Sequence, residues 1–129
     1  MNILDYRCTE DNGLSFELIV DGQLLGDLIG SRDRAFPSWI VEDDLPYDPP
    51  YSKEHDPELR IVTVCSCGEY GCGCSKCRVI RVGEAVVFQE FEGDVSAEGA
   101  QKAFQFSRAN YDSVVKAIVE RARASLRGS

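Results

Sequence analysis

The sequence predicts an α+β domain: a mostly antiparallel sheet, built from a meander and a hairpin, with a C-terminal helix packed on one face. Three patterns carry this expectation. Residues 1–30 alternate apolar and polar side chains between turn signals, residues 59–91 hold runs of β-branched residues, and residues 107–126 repeat apolar side chains every three or four positions. The 129 residues, 43% hydrophobic and 28% charged, fit a single domain over 1–129. A domain of this size buries about two-thirds of its unfolded surface, so its core does not require disulfides or a metal.

Leu4, Tyr6 and Cys8 alternate along one strand face before Asp11-Asn12-Gly13, where Asn and Gly supply the positive φ of a hairpin turn. Leu14, Phe16, Leu18 and Val20 keep strict period two, and Asp21-Gly22 marks the next turn. Gln23–Ile29 reads as a third strand that completes the meander. Residues 31–58 lose the pattern: they contain all five prolines, and from Ile40 to Glu58 they hold seven acidic residues and one lysine, so they read as a long acidic, Pro-rich loop. Loops of this length in a compact domain are uncommon and are either functional or flexible.

The strand pattern returns at Leu59–Val64, then at Arg78–Val82 and Ala85–Phe91, the last two joined by Gly83-Glu84. The runs Ile61-Val62 with Val64, and Val86-Val87-Phe88, predict central strands covered on both faces. Over 107–126, Tyr111, Val114, Val115, Ile118, Ala122 and Leu126 form one apolar stripe of a helix. Ser107 and Asn110 are candidate caps, Asp112 sits near the positive end of the helix dipole, and Arg121, Arg123 and Arg127 sit near the negative end.

Fourteen basic and 22 acidic residues leave a net charge of −8. Such a charge disfavours free DNA, RNA and anionic membranes and suits a basic protein partner. The charge is also polarised, because residues 101–129 hold six basic and two acidic residues and residues 1–100 hold eight and twenty. The basic helix reads as a solvated face. No apolar run approaches the ~18 residues of a transmembrane helix, and Met1-Asn2-Ile3-Leu4-Asp5 lacks the basic and apolar regions of a signal peptide, so the expected location is the cytoplasm.

Five of the six cysteines, Cys65, Cys67, Cys72, Cys74 and Cys77, fall within thirteen residues. Gly68, Gly71 and Gly73 let the backbone between them fold tightly enough for several thiolates to reach one ion, for which zinc is the natural candidate. The spacing is C-x-C-x4-C-x-C-x2-C, and only Cys74 to Cys77 has the usual knuckle separation. Zinc takes four ligands, which leaves one thiol spare, and a closed site of four thiolates is structural and offers substrate no open position. Lys76 and Arg78 favour thiolates electrostatically. The plainer reading is a set of small thiols without metal; disulfides do not suit a cytosolic chain.

Catalytic signals are sparse. His55 is the only histidine and lies in the Pro-rich loop, and Glu69 acts as an acid or base only beside a metal-bound water. No phosphate-binding glycine loop, nucleophile elbow or zinc-protease motif occurs. The expectation is a protein that is not an enzyme, with a low-pKa redox thiol as the competing idea. The acidic loop is the candidate binding surface: Trp39, Tyr47 and Tyr51 are aromatic anchors, and Glu42, Asp43, Asp44 and Asp48 are the surrounding charge. Its plainer reading makes Trp39-Ile40-Val41 a short buried strand with acids that keep the loop soluble.

The stretch Cys65-Ser66-Cys67-Gly68-Glu69-Tyr70-Gly71-Cys72 resembles the C-x-C-G-x-x-G-C signature of a group of small uncharacterised bacterial proteins. The resemblance spans residues 59–122, and it implies a signature between strands, a following hairpin and an aromatic strand that runs into a helix. Phe104-Gln105-Phe106-Ser107-Arg108-Ala109-Asn110-Tyr111 is similar to that last feature. Cys65, Cys67 and Cys72 match the signature, Cys74 and Cys77 stand outside it, and no activity comes with it. In size and charge the chain is also similar to bacterial immunity proteins, which bind secreted toxins, many of them basic nucleases. That likeness implies that the acidic residues of 39–58 meet the lysines and arginines of a toxin while the aromatic residues anchor the contact.

Overall fold

Period-two alternation in the first twenty residues folds as expected into a hairpin of β1 (Leu4–Thr9) and β2 (Ser15–Val20), with unbroken antiparallel register from Leu4 opposite Val20 to Thr9 opposite Ser15. This computed structural model describes residues 1–10, 13–33, 35–38, 59–64 and 73–127. Asp21 and Gly22, with φ of 52° and 82°, make the tight turn to β3 (Gln23–Leu24). Both central residues are left-handed there, the geometry that matches the twist of a hairpin.

The third strand is shorter than its sequence suggests. The pattern of Gln23–Ile29 predicts extended chain, but β3 stops at Leu24 and α1 (Leu25–Leu28) follows. Leu25, Leu28 and Ile29 fit helical spacing as well as strand alternation, and the helical turn buries Leu25 and Ile29 together in the core. Part of the expected loop is a strand: β4 (Ala35–Pro37) pairs with β2 beside β3, with Phe36 opposite Phe16. Trp39-Ile40-Val41, the candidate short strand, lies outside the described residues.

β5 (Leu59–Val64), β6 (Cys74–Val82), β7 (Ala85–Gly93) and β8 (Phe104–Ser107) form a second four-stranded sheet in sequence order, every pair antiparallel. The chain therefore has two sheets where the sequence predicts one. The physical reason is local: β2 finds its further partners in β3 and β4, which completes the first sheet before β5 begins. β5 ends the second sheet, yet Arg60, Ile61, Val62, Thr63 and Val64 are all buried, because β4 and α1 lie against it. Two irregularities flank the middle of β6: Val62 is an extra residue on β5, and Glu90 and Phe91 together face Cys77 from β7.

The sheet runs into α2 (Arg108–Arg127), within a residue of the expected 107–126. Ser107 caps it, its Oγ accepting the Asn110 N–H at 3.1 Å. Asn110, the other candidate cap, serves β1: its side-chain amide donates to the Leu4 carbonyl at 2.9 Å and its Oδ1 accepts the Leu4 N–H at 2.7 Å. α2 lies against β1, β7 and β8, with Tyr111, Val114, Ile118 and Ala122 facing inward. One core joins both sheets and the helix; Phe88 meets Phe106 and Tyr111 edge to face at 4.9 and 5.9 Å. Full burial of side chains such as Phe16, Phe36 and Phe106 stabilises the frame by about 2–3 kcal/mol each.

Candidate functional site

Two of the five clustered cysteines stand on β6, which starts four residues earlier than the sequence suggests. Cysteine density reads as loop, but Ser75, Cys77 and Val79 alternate in burial with Cys74, Lys76 and Arg78, so this stretch is a regular strand. Cys74 and Cys77 thus point to opposite faces, and the one knuckle-like spacing in the chain does not bring its two thiols together. Cys77 is wholly buried, opposite Arg60. Burial pushes its thiol pKa up, with the Arg60 charge pulling the other way. Cys74 is half-buried; burial pushes its thiol up most, Lys76 pulls it down, and Asp94 and Glu92 push it further up. Lys76 therefore acts in the expected direction and is outweighed.

Val64 pairs with Cys74, so residues 65–73 connect the adjoining ends of the β5–β6 pair. Cys65, Cys67 and Cys72 lie outside the described residues, as does Glu69. Among the described residues no three His, Cys, Asp or Glu side chains gather as a metal site. The acidic segment leaves the frame from β4, where the Ser38 N–H is held by the Leu14 carbonyl at 2.9 Å, and returns at β5, which lies against β4. Trp39, Glu42, Asp43, Asp44, Tyr47, Asp48, Tyr51 and His55 lie outside the described residues.

Where the cysteine segment is rooted, the structure holds a polar cluster that sequence reading missed. Asp94, just past β7, accepts from the Ser31 hydroxyl at 3.3 Å and from the Arg32 N–H at 3.0 Å, and its other oxygen pairs with the Arg32 guanidinium at 3.3 Å. Because Ser31 donates to the carboxylate, its oxygen accepts from Thr63 Oγ1 at 3.1 Å, and Thr63 in turn accepts from the buried Ser75 hydroxyl. The Asp94 N–H donates to the Cys74 carbonyl at 2.9 Å. Ser31 and Arg32 are more than sixty positions from Asp94 in sequence, and no local signal announces them.

The segment after Asp94 clips the two sheets together. The Ser96 N–H donates to the Ile29 carbonyl at 3.0 Å, Ser96 Oγ accepts the Gly99 N–H at 2.9 Å, and Gly99 lies so close that a Cβ on it would stand 1.8 Å from the Ile29 oxygen. Elsewhere, α2 and Arg81 border an open groove of about 380 Å³. Lys116 and Arg123 alternate there with Asp112 and Glu120 over Val115 and Val119, and Arg81 is already paired with Asp112 at 3.3 Å and set over the Tyr111 ring. Such mixed, self-neutralised charge fits the solvated helix face expected from sequence.

No protein-family model, curated protein or solved structure matches the chain. Among the described residues, no helix is long and apolar enough to cross a membrane.

Proposed function

We propose that the protein is a non-catalytic acidic binding protein of the bacterial immunity or antitoxin type, acting in the cytoplasm to neutralise a basic toxin domain, such as a nuclease. The observation that carries the reading is the charge polarity: twenty of the 22 acidic residues lie in the first hundred positions, and seven of them fall in the aromatic-bearing stretch from Ile40 to Glu58. Acidic groups there steer a basic partner and pair with the lysines and arginines that would otherwise hold nucleic acid. Trp39, Tyr47 and Tyr51 supply the apolar anchors. The folded frame adds support of its own, since β4 and β5, the strands between which this segment is strung, lie against each other.

A structural zinc is the second part of the reading. Cys74 faces away from Cys77, which is wholly buried, so this reading takes Cys65, Cys67, Cys72 and Cys74 as the four ligands, with Cys77 the spare thiol. A metal held this way staples the mouth of the β5–β6 pair and supplies no open coordination position. The same feature supports a zinc-stapled interaction domain with another partner. A redox sensor is less well supported, because burial pushes the thiols of both Cys74 and Cys77 up, away from reactive thiolate.

The deciding experiment titrates basic nuclease toxin domains against the wild type and an Asp43→Asn, Asp44→Asn, Asp48→Asn variant. The expected result is inhibition by the wild type and at least about a hundredfold weaker binding by the folded variant, the effect of losing close charge pairs. Undiminished affinity of the variant, or affinity that ignores salt, overturns the reading. Native mass spectrometry tests the metal separately: one zinc per chain is expected, retained by Cys77→Ala and lost by Cys74→Ala.

A further inference from the structure

Strand alternation gives the second sheet two unlike faces. Val79, Phe88 and Phe106 are buried in the core, and the residues that alternate with them, Arg78, Ile80, Val87 and Gln105, stand half-buried or exposed on the outer face. Val82, on that face at the end of β6, is 60% exposed, one of three exposed large apolar side chains among the described residues. Register fixes what lies side by side. Ile80 is opposite Val87 and Val82 opposite Ala85, which makes an apolar end. The other end is charged: Lys76 is opposite Glu92, 3.8 Å from Nζ to Oε1, and Arg78 Nε meets Glu90 Oε2 at 3.0 Å.

Both bases stand on β6 and both acids on β7, so these four charges cancel and each strand keeps one sign. That arrangement is self-complementary. A two-fold axis running along the strands, between β6 and β7, sets β6 of one copy on β7 of another. Arg78 then meets Glu90 of the second copy, Lys76 meets Glu92, and Ile80 meets Val87, each repeating a pair already made within the chain. An axis across the strands would instead lay the charged end on the apolar end. Sheets pack face to face about 10 Å apart with aligned strands, and two-fold contacts are the commonest in assemblies of identical chains. A chain of net charge −8 repels its own copy over most of its surface, and this face offers a contact without that repulsion.

We propose that the outer face of β6 and β7 is the interface of a two-fold symmetric dimer of this chain. The contact uses no residue of the acidic or cysteine segments and stands apart from the function proposed above.

Sedimentation of the full chain between about 1 and about 500 μM tests it, a span that covers micromolar affinities. The wild-type mass is expected to rise from one chain to two. Val82→Asp is expected to weaken association at least about tenfold, because it brings a carboxylate into the apolar end. Arg78→Glu and Glu90→Arg, each alone, set like charges against each other and are expected to stay monomeric. Their equimolar mixture is expected to recover dimers with one copy of each, since every charged contact between the copies is then of opposite sign. Thermal melts confirm that each variant is folded, and the exposure of Val82 keeps its substitution clear of the core. A wild type that stays monomeric throughout overturns the proposal, whether solvent or a different protein then meets this face. A dimer that Val82→Asp leaves unchanged, or folded charge variants whose mixture stays monomeric, overturns it as well.

Discussion

The two sheets differ in regularity. The β1–β2 pair runs through six residue pairs without a break and leaves by a turn whose residues suit it, whereas β6 has extra residues facing it from both neighbours around Lys76 and Cys77. Bulges bend a strand and re-aim its side chains, and they are common beside functional sites. The first sheet therefore reads as support. The second carries two of the clustered cysteines, Cys74 and Cys77, and its distortion falls beside Cys77.

The largest effect tests whether the two sheets are one unit. Gly99→Ala drives a Cβ into the Ile29 carbonyl at the seam, and a loss above about 4 kcal/mol, or failure to fold, is expected in thermal melts. Mild destabilisation would mean that the sheets stand independently. Next, Phe16→Ala in the first sheet and Phe106→Ala in the second each remove a wholly buried ring; each is expected to cost about 3–5 kcal/mol in a single shared denaturant transition. Separate transitions for the two variants would divide the molecule along the seam.

Alkaline titration sharpens the contrast around β6. The Cys77 thiol is raised above its ordinary value of 9.0 by burial, so the folded state holds a proton that the unfolded chain releases. The stabilisation is whole below pH 9 and declines as pH rises beyond it, by about 1.4 kcal/mol per pH unit. Cys77→Val is expected to remove that part of the slope in pH-dependent unfolding, and an unchanged slope would place the thiol in contact with solvent. The smallest effects have opposite signs. Gly22→Ala at φ 82° is expected to cost about 1 kcal/mol, and Glu90→Gly at φ 55° in the β7 bulge to gain up to about 1 kcal/mol, both read from melting temperature. Equal signs would mean that the bulge is no more strained than the turn.

Much of the frame was legible in the sequence. Period-two alternation located β1 and β2, β-branched runs located β5 and β7, and the stripe from Tyr111 to Ala122 with Ser107 at its head located α2 almost to the residue. The failures share a cause, which is that local pattern does not record tertiary partners. Leu25 to Ile29 fits either period, and burial beside β5 decides for the helix; Ala35–Pro37 becomes a strand because β2 has an open edge beside it. At the candidate site, the sequence marked the thiols but not their facing. Alternation along β6 separates Cys74 from Cys77, and the Asp94 cluster joins residues that only the folded chain brings together.

Asn110 fills both hydrogen-bonding groups of Leu4 across 106 positions, so the first strand is sealed by nearly the last element of the chain. During synthesis these two groups of Leu4 wait for their partner until α2 has left the ribosome. Contacts of such separation are slow to form, and a nascent chain with an open edge is a target for a neighbouring nascent chain. The first strand therefore gains its last hydrogen-bond partner only when the C-terminal helix has been made, whatever the strength of the finished core.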